Sequence, residues 1–71
     1  MRVVNKVYLM EIPGIKKKVY RWVLYIQNDG RMVVRVPKTT TRVGELHNLN
    51  DKYYGVERIL PIDSKRVKLL K

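Results

Sequence analysis

From Lys18 to Pro37 the chain reads KVYRWVLYIQNDGRMVVRVP, two runs rich in β-branched and aromatic residues flanking Asn28-Asp29-Gly30. Such arms around an N-D-G triplet predict a β-hairpin. Its register follows from sorting the side chains. A two-residue loop at Asp29-Gly30 sets Leu24 opposite Arg35 and Trp22 opposite Pro37, mixing apolar and charged residues on one face. A three-residue loop, Asn28 to Gly30, sets Ile26 opposite Met32, Leu24 opposite Val34 and Trp22 opposite Val36, leaving one face wholly apolar. A one-residue slip moves every side chain to the other face, so the three-residue loop is preferred. It suits a type I turn closed by Gly30 in the left-handed conformation.

The flanking segments extend this pattern. Arg2 to Ile12 (RVVNKVYLMEI) has high β propensity and leads into Ile12-Pro13-Gly14-Ile15, where Pro then Gly fits a type II turn. A direct turn there sets Val7 opposite Tyr20 and Val3 opposite Leu24, with Asn5 facing Trp22 as the misfit. Val43, Leu46 and Leu49 recur at helical spacing, so a short helix or turn is expected at about 41–48, weakened by Gly44. Lys52 to Leu60 suits a fourth strand with Tyr54, Val56 and Leu60 inward, and Pro61 either ends it or places it at a sheet edge. Lys65 to Lys71 reads as a short last strand or as a helical turn capped by Asp63 or Ser64. The predicted fold is mainly β, with a small α+β fold as the variant. A three-stranded meander (about 2–12, 18–27 and 31–37) is followed by the helix or turn and one or two C-terminal strands. The expected shape is an SH3-like or OB-like small half-barrel formed by one domain, residues 1–71.

On the face opposite the apolar one, the register gathers Arg2, Lys6, Tyr8, Arg21, Val23, Tyr25, Gln27, Arg31, Val33 and Arg35. Arginines interleaved with tyrosines suit a sheet that lies on nucleic acid, since guanidinium groups pair with phosphates and a ring offers a stacking surface. Lys16, Lys17 and Lys18 form a cationic tip on the first hairpin, able to contact phosphate as mobile point charges. The candidate nucleic-acid contacts are therefore Arg2, Lys6, Tyr8, Lys16, Lys17, Lys18, Arg21, Tyr25, Arg31 and Arg35. A solvated polar sheet face accounts for the same pattern without a ligand.

Charge strengthens the nucleic-acid reading. Sixteen Lys and Arg against six acidic residues give a formal net charge of +10 in 71 residues, a self-repulsion that a polyanion relieves. A hydrophobic fraction of 45% is too high for a disordered basic tail. Without cysteine there is no disulfide framework or thiolate metal site. No cofactor or metal is expected. The N-terminal residues lack a signal-peptide core, and the longest apolar run, Trp22 to Ile26, is too short to cross a bilayer, so a cytoplasmic protein that does not bind membranes is expected. The many Arg, Lys, Val and Ile suit a thermophilic source.

Chemistry is sparse. His47 is the sole histidine, the glycines match no phosphate-binding loop, and no catalytic pair is visible. The expected function is RNA binding, as a small ribosomal or ribosome-associated protein with ribosomal proteins as neighbours. Cations spread along the whole chain and the lack of a DNA-reading helix favour RNA over DNA. The alternatives are a duplex-DNA protein using Val23 and Val33 as wedges between base steps, a protein-interaction module and, more remotely, a small basic ribonuclease.

Overall fold

The structure is a computed structural model in which residues 1–70 are described. Its strands are β1 (Arg2–Glu11), β2 (Val19–Ile26), β3 (Arg31–Pro37), β4 (Tyr54–Asp63) and β5 (Lys68–Leu69), with 3-10 turns at Val43–Glu45 and Ser64–Arg66. They make one antiparallel sheet in the order β4-β3-β2-β1-β5, open rather than closed into a barrel. The mainly β prediction and its meander hold.

The hairpin between β2 and β3 has the predicted three-residue loop. The Gln27 N–H donates to the Arg31 carbonyl at 2.8 Å, the Gly30 N–H donates to the Gln27 carbonyl at 2.9 Å, and Gly30 has φ +90. A side chain at Gly30 would displace the movable Asp63 carboxylate, 2.8 Å away, but it is the positive φ that calls for glycine. Ile26 faces Met32 as expected, but the register then slips by one. Val23 pairs with Val34 and Trp22 with Arg35, with Leu24 bulged between Val23 and Tyr25. The expected pairs Leu24–Val34 and Trp22–Val36 do not form. An extra residue reverses the alternation beyond it, so the predicted apolar face is divided between the two sides of the sheet.

A second irregularity lies between Val3 and Lys6 on β1, where Asn5 takes φ 50. Val7 pairs with Trp22 and Val3 with Tyr25, instead of the predicted Tyr20 and Leu24. The Pro13-Gly14 turn forms, with Ile15 N–H donating to the Ile12 carbonyl at 3.0 Å, yet pairing resumes only at Met10 and Val19. Asn5, the apparent misfit, accepts the Trp22 indole N–H at 2.8 Å.

The bulges let the sheet curl. Only Ser64–Val67 separate β4 from β5, which are opposite edges of the sheet. A flat five-stranded sheet would place its edges about 19 Å apart, more than the roughly 17 Å those linking residues reach when fully extended. The linker crosses one face. Ser64 N–H donates to the Gly30 carbonyl at 2.7 Å, Val67 enters the core, and Lys68 pairs with Glu11. That face is concave and buries Met10, Ile12, Val23, Met32 and Val34 around Val67. The convex face carries a second cluster, Val7, Trp22 and Tyr54, with Tyr20, Leu24 and Tyr53 packed on it.

Three segment predictions change. The 41–48 stretch is a single 3-10 turn at Val43–Glu45; only Leu46 of its apolar residues is buried, and Val43 and Leu49 are exposed. β4 runs on through Pro61 to Asp63, because an edge strand needs no N–H partner on its open side. Tyr54 and Leu60 turn inward on it, but Val56 is 75% exposed. The 65–71 stretch divides between its two predicted forms. A 3-10 turn is capped by Asp63, whose carboxylate accepts the Lys65 N–H at 2.9 Å, and the two-residue β5 follows. Lys71 lies outside the described residues.

Candidate nucleic-acid interface

Because of the Leu24 bulge, the predicted basic face is not one surface. Cross-strand pairing sets Lys6, Val23, Val34 and Arg58 in one row over four strands, with Tyr8 and Arg21 paired beside it. Val23 and Val34 are buried in the concave core, so the cations fringe an aliphatic centre. Lys6 Nζ stands 5.2 Å from the centroid of the Tyr8 ring, and Tyr8 is partly buried against the edge of the core. Arg2 is exposed on the same side, opposite Ile26.

Tyr25, Arg31 and Arg35 belong to the convex face. Tyr25 lies in a row with Val3, Val33 and Ile59. Arg31 is exposed and pairs with Asp29 at 3.8 Å. Arg35, predicted to be an exposed phosphate contact, is instead bound up in the fold. Its guanidinium lies 4.7 Å from the Trp22 ring centroid, donates to Asp51 Oδ1 at 2.6 Å and the Tyr54 carbonyl at 3.2 Å, and also donates to the Gly55 carbonyl. A planar fork of five donors over an aromatic face suits arginine alone. Lys16, Lys17 and Lys18 are exposed on the loop after the Pro13-Gly14 turn.

Three cations escaped the sequence reading. Arg58 shares the alternation of Leu60 and Val56 along β4, so parity alone put it on the core side and hid it. Arg66 and Lys68 flank Val67, and their placement depends on the crossing of the linker, which has no local signature.

Electrostatics separates Arg21 from the other candidates. Its pKa is lowered, first by burial and then by the positive charge of Arg58, with Tyr54 acting the opposite way. An arginine stays protonated regardless, so the two guanidiniums repel each other across a partly dry surface. Among the described residues the ion pairs are Arg31–Asp29 and Arg35–Asp51, and neither Arg21 nor Arg58 takes part in one. A group of cations with this geometry can accept an oxyanion between them, with Tyr8 presenting ring surface nearby.

Fold and surface together define a small, open, strongly cationic β-sheet protein. Compared with known proteins, the chain matches no family model, no curated protein and no solved structure.

Proposed function

We propose that this protein binds nucleic acid, structured RNA in preference to DNA, through phosphate contacts from Lys6, Arg21 and Arg58 with Tyr8 as a stacking surface. One observation carries the reading: among the described residues, half-buried Arg21 and its neighbour Arg58 take part in no ion pair, and the Arg58 charge acts against that of Arg21. A phosphate placed there replaces repulsion with charge-assisted hydrogen bonds. The wide, shallow minor groove of an RNA helix admits such a surface without an inserted helix. The wedge mechanism for DNA loses its basis, because Val23 and Val33 are 1% and 2% exposed and cannot reach a base step. A protein-docking role draws on the row Val3–Tyr25–Val33–Ile59, whose ends are 71% and 53% exposed.

The test is binding to a structured RNA and to duplex DNA between 50 and 200 mM salt. Log affinity should fall against log salt by about 0.7 to 0.9 per phosphate contacted. Arg21→Gln with Arg58→Gln should reduce that slope by about one to two. A flat salt profile for the unaltered protein removes the nucleic-acid reading. Co-sedimentation with ribosomes rather than nucleoid material would support the ribosomal assignment.

A further inference from the structure

Apart from the sheet face, the loop of the first hairpin and the C-terminal segment enclose a groove of about 490 Å³. Lys16 and Lys18 stand on one wall, Arg66 and Lys68 on the other, and Ile12, Pro13 and Gly14 lie between them. Two backbone devices hold these walls. The Pro13-Gly14 turn, closed by the Ile15 N–H on the Ile12 carbonyl, directs the lysine loop. Pairing of Lys68 with Glu11 and Leu69 with Met10 fixes the opposite wall against β1. None of the four cations takes part in an ion pair among the described residues. Among the described residues Glu11 is the single carboxylate lining the groove.

We propose that this groove is a second phosphodiester site, holding a nucleic-acid backbone between Lys16 and Lys18 on one side and Arg66 and Lys68 on the other. The inference rests on the nucleic-acid reading above. It adds a surface at the β1–β5 edge, whereas Arg58 stands on β4, the strand at the other edge of the sheet. Cations facing each other across a concavity suit a thin, flexible chain of charges, which enters and is contacted from both walls. A flat anionic bilayer meets only the protruding parts of such a surface. The exposed Ile15 at the rim offers an apolar contact to a sugar or base edge. Glu11 sets an opposing charge inside the groove, so its removal should strengthen binding.

The experiment compares three variants of the full chain with the unaltered protein, using a 20-nucleotide single-stranded RNA and, separately, phosphatidylserine vesicles. In the first, Lys16, Lys18, Arg66 and Lys68 are all replaced by Gln; these residues are exposed, and circular dichroism checks the fold. Its salt slope should fall by roughly three, at about 0.7 per cation on a single strand. Glu11→Gln should raise affinity by about two- to fivefold at 100 mM salt, the gain expected from removing one like-charged neighbour of a phosphate. The Arg21→Gln, Arg58→Gln pair should lose slope while the groove's contribution persists. If the unaltered protein binds RNA but the fourfold variant keeps its full slope, the groove inference fails and the sheet-face reading stands. If RNA binding is unchanged and only vesicle binding is lost, the groove is a lipid-headgroup surface and the inference is overturned. If the unaltered protein binds no RNA, both readings fall together.

Discussion

On the concave side of the sheet, Met10, Val23, Met32 and Val34 pack aliphatic and thioether groups around Val67, with no hydrogen bond among their side chains. On the convex side, Val7, Trp22 and Tyr54 form a smaller cluster in which each aromatic ring has a polar attachment. The Trp22 indole donates to Asn5, the Tyr54 hydroxyl donates to the Leu46 carbonyl, and Arg35 lies over the Trp22 ring. The rings of Trp22 and Tyr54 meet edge to face, with centroids 5.4 Å apart. The first core is shielded by the crossing Ser64–Val67 linker. The second is shielded by the 38–53 loop, which has little regular structure and is fastened by hydrogen bonds, among them Thr41 Oγ1 and Lys38 N–H both donating to the Tyr53 carbonyl. A sheet this small buries both faces only because the second cover is tied down by polar contacts to aromatic anchors.

The largest effect expected is from removing the anchor. Trp22→Ala should cost about 3–5 kcal/mol, enough to unfold a domain whose total stability is of that order. Thermal denaturation followed by circular dichroism measures it. Met32→Ala, its counterpart in the concave core, should cost about 2–5 kcal/mol. A Trp22→Ala protein that stayed folded yet lost RNA binding would make the ring a ligand contact rather than an anchor.

Arg35 and Arg21 sharpen the contrast at intermediate size. Arg35→Gln removes the stacking on Trp22 and the charge-assisted bonds to Asp51 and two carbonyls, at an expected cost of about 2–3 kcal/mol. Arg21→Gln removes one bond to the Tyr20 carbonyl but also the repulsion from Arg58, and should change stability by less than about 1 kcal/mol while weakening RNA binding. Urea titration of the two variants distinguishes the fold-bound arginine from the ligand-facing one. Equal stabilities would contradict the division.

The last effect is tied to pH. Burial raises the Tyr54 pKa above its ordinary value of 10.0, against the pull of the Arg21 charge. The folded state therefore holds its proton where the unfolded chain releases it. The stability Tyr54 contributes is fully present below pH 10 and declines as pH rises through the higher folded value. Tyr54→Phe should be less stable than the unaltered protein by about 1–2 kcal/mol at pH 8. That gap should narrow in urea titrations at pH 10.5 and above, and a gap that widened there would refute the assignment.

The strands, the three-residue loop and the left-handed Gly30 were legible because each rests on local chemistry: β-branched runs, a turn triplet, a residue without Cβ. Which side each residue faces was not legible, because a bulge is one residue long and a period of two cannot say where it falls. The run Trp22–Ile26 carried the warning. Five apolar residues without alternation signal a strand buried on both faces, and that is where Leu24 bulges. Asn5 was a second sign, since a polar residue set against Trp22 implied either a hydrogen bond or a break in register, and it makes both. Arg35 looked like Arg21 in sequence, and only the return of β4 beside β3, with Asp51 and Gly55 in reach, tells them apart.

β1 is first in the chain but lies inside the sheet, between β2 and β5. Its outer partner is formed by residues that are made more than fifty positions later, when Leu70 N–H closes on the Leu9 carbonyl at 2.7 Å. Val67, which completes the concave core, arrives in the same stretch. During synthesis the β1–β2–β3 meander can form, but one flank of β1 and one side of its core stay open until residues 67–70 leave the ribosome. Contacts so distant in sequence are slow to close. Until then the emerging chain carries an unpaired strand edge and exposed Met10 and Val23, a period when its many cations help to keep neighbouring chains apart.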